Sequence, residues 1–172
     1  MSKNKNACHI SPKVAAEDII DSWVIEGGLN INQIKVEREV SAHLKEIDYS
    51  FVASDGFSIK ARIYFANEDG GLRRYVQIEC AIAQVPPGTS DVLEHLLSRN
   101  REIPASLKLG LSDSLIILCF RGPEDGYSTP YLKSLVEGFI PCAVHLHSEM
   151  HEKFGIPTLM ESISRDRCLR AH

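Results

Sequence analysis

Apolar residues recur along the chain with two different periods. Ala16, Ile19, Ile20 and Trp23 fall at helical spacing, with Ser11-Pro12 as a cap-plus-proline start and Gly27-Gly28 as the stop. From Lys45 the period becomes two: "KEIDYSFVASDGFSIKARIYFANEDGGLRRYVQIECAIAQV" holds three alternating runs separated by glycine-bearing turns. A slip of one residue would turn a strand's apolar set to solvent, so the pattern predicts a register. A three-residue loop, Ser54-Asp55-Gly56, pairs Phe51 with Ile59, Tyr49 with Ala61 and Ile47 with Ile63. A two-residue Gly70-Gly71 loop then pairs Ile63 with Ile78, Ala61 with Cys80 and Ile59 with Ile82. The opposite face carries Asp48, Arg62 and Glu79 as an acid–base–acid row, the arrangement in which facing charges support each other.

Pro86-Pro87-Gly88 closes the meander, and "TSDVLEHLLSRN" predicts a helix capped at Thr89 or Ser90, with Val92, Leu93, Leu96 and Leu97 turned inward. Two short strands follow around Ser112-Asp113-Ser114. A three-residue loop there pairs Leu111 with Leu115, Leu109 with Ile117 and Leu107 with Cys119. Ile116 and Leu118 then lie on the other side, so this strand is apolar on both faces. That predicts a sheet centre or a subunit contact and makes Ile116 and Leu118 the dimer-contact candidates. Thr129-Pro130 opens a last long helix with Leu132, Leu135, Val136, Phe139, Ala143, Leu146, Met150 and Phe154 on one stripe, interrupted by Pro141, where a kink is expected. Thr158 to Glu161 reads as a capping box for a further short helix. The expected order is α-β-β-β-α-β-β-α: an α+β fold with an antiparallel sheet packed against helices. Residues 1–11 are expected to be a loose N-terminus, 12–154 a single domain, and 155–172 an extension. Residues 29–43 are mixed and charged, and the pattern assigns them no element.

Chemistry adds little to this outline. "HLHSEMH" puts three histidines into seven residues. At about 100° per residue His147 and His151 lie together on the edge of the apolar stripe, while His145 points elsewhere. One i,i+4 pair survives, half of a zinc site at most, with Cys142 as a conceivable helper; the competing reading is an ordinary helix flank. The five cysteines contain no C-x-x-C pair, and Cys80 and Cys119 fall on apolar strand faces. No glycine-rich phosphate loop or nucleophile elbow occurs, and no cofactor is expected. A net charge of −4 speaks against nucleic acid as a partner. The polar start, without a signal-type apolar run, and the lack of a membrane-length apolar window predict a cytoplasmic chain with no membrane partner. Tyr64 and Tyr75 come out as diagonal neighbours on the polar sheet face, with Val52 across the meander, and form a candidate partner-binding set.

The stretches "LLSRNREIPASLKLGLSDSLIILCFRGP" and "STPYLKSLVEGFIPCAVHLHSEM" resemble the bacterial YbjN family and the related class I type III secretion chaperones of the Tir-chaperone type. The shared features are a helix ending near an asparagine, here Asn100, two short strands about a polar turn, and a capped amphipathic helix. The resemblance spans roughly residues 12–154 and departs at the turn, where Ser112-Asp113-Ser114 replaces an acidic-glycine turn. It implies a small, non-enzymatic, cytoplasmic homodimer that binds a client or regulatory protein. The alternatives are a metal sensor or metalloenzyme using His147 and His151, and a small-ligand domain with its site in the sheet–helix crevice.

Overall fold

A computed structural model describes residues 14–41, 44–53, 56–68, 71–85 and 90–157. Residues 1–11, Ser11-Pro12, Ser54-Asp55, Pro86-Pro87-Gly88, Thr89 and the Thr158–Glu161 box lie outside the described residues. The order is α1 (Ala16–Glu26), α2 (Ile31–Ile34), β1 (Lys35–Ser41), β2 (Leu44–Val52), β3 (Ser58–Glu68), β4 (Gly71–Gln84), α3 (Ser90–Arg99), β5 (Leu107–Ser112), β6 (Leu115–Pro123), a 3-10 turn (Glu124–Gly126) and α4 (Thr129–Phe154). The strands form one six-stranded antiparallel sheet in the order β1-β2-β3-β4-β6-β5. The architecture is α+β. Relative to the expected order, β1 and the single turn of α2 are additions, both within 29–43. Six of the seven β1 residues are exposed, so no apolar alternation marks the strand. It is an edge strand kept in place by pairing to β2 and by surface charges, including Lys45–Glu37 at 3.0 Å and Arg38–Asp48.

The first hairpin pairs as the pattern predicts: Ile47 with Ile63, Tyr49 with Ala61, Phe51 with Ile59. Gly56 takes φ +82°, the left-handed conformation such a turn requires. The second hairpin is two residues out of the expected register. Glu68 pairs with Gly71, so Ile63 faces Val76, Ala61 faces Ile78 and Ile59 faces Cys80. A slip of two leaves every side chain on its expected face but changes its neighbour; Arg62 meets Gln77, and Glu79 meets Lys60.

The β5–β6 hairpin differs by one residue, which is more consequential. Ser112 pairs with Leu115 across a two-residue turn in which Asp113 and Ser114 both have positive φ, 48° and 69°. Left-handed backbone at two non-glycine residues costs about 1–3 kcal/mol each. In return Ile116, Leu118 and Phe120 reach the core at 0% exposure, and each such side chain contributes roughly 1.5–3 kcal/mol. Ile116 and Leu118 are therefore core residues and not dimer contacts. The strand is still apolar on both faces, but its outward set is Leu115, Ile117 and Cys119.

The helices pack on one face of the sheet. Helix α1 starts at Ala16 rather than near Ser11; its first-turn N–H is met from the far end of the chain by Glu124, which accepts from Ala16 N at 2.7 Å. Helix α4 is capped one residue earlier than expected, by Ser128, and closes on Gly155 at φ +64°. It runs through Pro141 as one helix. The lost bond and clash cost about 3 kcal/mol, whereas Leu132, Val136, Phe139, Ala143, Leu146 and Met150 are all buried and together are worth roughly three to five times that. On α3 only Val92 and Leu96 are buried; Leu93 and Leu97, expected inward, are 41% and 68% exposed. Where α3 meets the sheet, Asn100 brackets the β5 edge, donating to Leu109 O at 2.9 Å and accepting from Leu109 N at 2.7 Å. Gly122 leaves room for Tyr127, whose ring is held against Phe120 and Tyr131 and would collide with any side chain there.

At the other end of the sheet, Lys35 Nζ lies 2.8 Å from both Glu17 and Asp21, and the buried Tyr49 hydroxyl donates to Asp21 at 2.6 Å. Burial, then the bond to Asp21, holds the Tyr49 hydroxyl far above its ordinary value. Burial opposes the charge on Lys35, but its bonds to Asp21 and Glu17 outweigh that and raise it. Both groups keep their protons in the folded chain at pH values where the unfolded chain loses them. The stability they contribute is complete below about pH 10 and falls above it.

Tyr49→Phe is therefore expected to flatten the fall in urea midpoint between neutral and strongly alkaline pH; equal falls in the two chains would remove Tyr49 from this account. Asn100→Ala, which strands the N–H and C=O of Leu109, is expected to lower unfolding stability by about 2 kcal/mol and to speed amide exchange at Leu109. Exchange at that amide unaltered by the substitution would show that the bracket is dispensable.

Candidate functional site

Strand pairing arranges the side chains that point away from the helices into rows. One row holds Val52, Ser58, Ala81, Ile117 and Gly110; the next holds Ser50, Lys60, Glu79, Cys119 and Lys108. A third runs Asp48, Arg62, Gln77, Arg121, and a fourth Tyr64, Tyr75, Pro123. The buried residues of α1, α3 and α4 all join the core formed with the opposite side-chain set. This face has no helical layer among the described residues. Leu115, Ile117, Cys119 and Ala81 are half-buried there, and Lys60, Glu79 and Lys108 stand around a shallow concavity of about 470 Å³ above them.

Tyr64 and Tyr75 are direct cross-strand partners, not diagonal ones, because of the two-residue shift; their rings stack at 5.8 Å. Arg62 lies over Tyr64 at 5.3 Å, and Arg121 lies 5.8 Å from both rings. A hydrogen bond to Glu68 raises the Tyr75 hydroxyl above its ordinary value and lowers the Glu68 carboxyl. Val52 does not join them: it pairs with Ser58, six residues along β3 from Tyr64, about 20 Å away at strand spacing. At the end of β2, Val52 borders a groove whose helix side is lined by Trp23, Phe51 and Ile140. That groove, the nearest match to a sheet–helix crevice, holds about 150 Å³, against the roughly 300–1,000 Å³ of ordinary ligand sites.

The thiols are poorly placed for nucleophilic work. Burial pushes Cys80 up to about 12, and burial together with the Glu79 carboxylate pushes Cys119 up to about 11. Burial raises Cys142 as well, with nearby Arg99 pulling the other way.

The histidines separate as the helical geometry requires. His147 and His151 stack at 6.2 Å, with His147 edge-on to Phe57 and His151 Nδ1 3.2 Å from Ile156 O. His145 lies instead 3.5 Å from Arg99. Among the described residues no group of three or more His, Cys, Asp or Glu side chains could hold a metal ion. Glu149, between the pair in sequence, reaches across to α3, 2.8 Å from His95 Nε2 and 2.9 Å from Arg99 Nε. Lys153 lies 3.0 Å from the other ring nitrogen of His95. This polar seam between α3 and α4 escapes a reading by periodicity, because its partners are some fifty residues apart; its local traces are the i,i+4 spacings of His95 with Arg99 and of Glu149 with Lys153.

Two donors hold zinc weakly. Added zinc is therefore expected to leave the thermal midpoint unchanged, in the parent chain and in His151→Ala alike. A zinc-dependent rise abolished by that substitution would establish the metal reading. No family model matches the chain, and no curated protein matches it.

Proposed function

We propose that the chain is a non-enzymatic polypeptide-binding protein, a chaperone or regulatory adaptor of the YbjN and type III secretion chaperone kind, acting in the cytoplasm as a homodimer. The observation that carries this reading is the uncovered sheet face. Among the described residues helices close only one side of the six-stranded sheet, which leaves Leu115, Ile117 and Ala81 half-buried on β6 and β4, an arrangement suited to holding an extended chain. The order read from the sequence pattern, which the resemblance shares, is contained in the observed one, with α2 and β1 added ahead of the meander. Asn100, a landmark of that resemblance, has the specific task of joining α3 to the β5 edge.

Leu93 and Leu97 support self-association. They form an exposed i,i+4 ridge on α3 that the other described residues leave uncovered. Completing their burial in a two-fold contact yields roughly 3–6 kcal/mol in total, while association costs about 4–15 kcal/mol. The ridge is thus the apolar centre of a wider contact, not the whole of it.

Light scattering is expected to find a dimer, and Leu97→Glu to yield a folded monomer whose melting stays cooperative but no longer depends on chain concentration. Ile117→Asp is expected to abolish recovery of co-purifying protein in affinity capture from native extract. A strict monomer at all concentrations that recovers no protein would refute the proposal.

A further inference from the structure

We infer that the uncovered face selects acidic, extended polypeptide segments, through a cation set formed by Lys60, Lys108 and Arg121. This rests on the reading of that face as a polypeptide-binding surface and names the chemistry of what it binds. Most described lysines and arginines stand within ion-pair distance of a carboxylate, among them Lys35, Arg62, Arg74 and Arg99. Lys60, Lys108 and Arg121 are exposed and have no ion pair among the described residues, yet register brings all three onto one face. Lys60 and Lys108 occupy one row on either side of Glu79 and Cys119, about 14 Å apart at three strand spacings. Arg121 stands in the next row, two residues along β6 from Cys119. Two acids share the concavity, Glu79, which accepts from Gln77 at 2.6 Å, and Asp113 at its β5–β6 end, and Arg121 also acts on the Glu68 carboxyl.

In a chain of net charge −4, three cations thus stand about the apolar strip against the two carboxylates Glu79 and Asp113. Carboxylates at positions i and i+4 of an extended segment are also about 14 Å apart. They match the two lysines, while apolar residues of the same segment meet Leu115 and Ile117. Single-stranded nucleic acid fits less well. It needs open aromatic faces, and here Arg62 and Arg121 lie over the tyrosine rings while Tyr75 is only 7% exposed.

The test uses the full chain and fluorescence anisotropy with three labelled ligands: a twelve-residue peptide rich in glutamate and leucine, its glutamine counterpart, and oligothymidylate. The glutamate peptide is expected to bind at least about tenfold more tightly than the glutamine peptide, and to weaken about tenfold on raising salt or in the combined variant Lys60→Glu, Lys108→Glu, Arg121→Glu. The same variant is expected to gain affinity for a lysine-substituted peptide, which a merely damaged surface would not do. Equal binding of the glutamate and glutamine peptides, insensitive to salt and to the variant, overturns the inference and leaves polypeptide binding standing. Binding of none of the peptides overturns both. Displacement of the glutamate peptide by oligothymidylate at lower concentration overturns it in favour of phosphate recognition.

Discussion

Burial on a single face of the sheet governs the rest of the molecule. Ile59, Ile63, Ile78, Cys80, Ile116, Leu118 and Phe120 each have 0% exposure, and all project toward the helices. Each large side chain in that layer is worth roughly 1.5–3 kcal/mol, while an exposed ion pair such as Arg62–Asp48 is worth about 0–1 kcal/mol. When the two kinds of preference compete, the core sets the register. The β5–β6 turn illustrates this: the backbone accepts two left-handed non-glycine residues so that Phe120, not Cys119, enters the core.

The helices submit to the same demand. Helix α4 carries a proline in its middle and remains one helix because its buried stripe outweighs the local penalty. Its polar residues serve packing as well, with Glu149 tying α4 to His95 and Arg99 on α3. At the far end, Glu124 caps α1 and sits 3.3 Å from Arg74, joining the segment after β6 to the first helix. With the fold secured on one side, the other side is free to carry charges and aromatics that the core does not need.

The meander and its first turn were legible because bulky residues alternate without interruption and Gly56 marks the turn. The second hairpin was legible by face but not by partner: Val76, Ile78 and Cys80 are nearly equivalent on the inner face, so a slip of two changes no burial. The last hairpin misled because β6 is apolar at every position from Leu115 to Phe120, which erases the alternation that distinguishes one register from its neighbour. Strand β1 was invisible for the opposite reason, being charged and exposed almost throughout. Leu93 and Leu97 read as core because helical periodicity does not say how wide a stripe its neighbours can cover. Of the candidate site, the shared face of Tyr64 and Tyr75 was legible; the rows of Lys60, Lys108 and Arg121 were not, since they depend on both mistaken registers.

The sheet's edges bear on where another chain could be held. An extended segment can join a sheet by pairing with an edge strand or can lie across a face. At the β5 edge the side chain of Asn100 already bonds the N–H and C=O of Leu109, occupying the middle of a six-residue strand. At the β1 edge Glu37, Arg38 and Glu39 stand in succession, with a register irregularity between Glu39 and Ser41, the charged and uneven edge that discourages strand addition. Both routes for main-chain pairing are thereby obstructed, while the broad face between them is left open by the described residues and is partly apolar. A polypeptide held as proposed would thus be recognised by its side chains, with the charge and apolarity of that face, rather than backbone complementarity, deciding which segments fit.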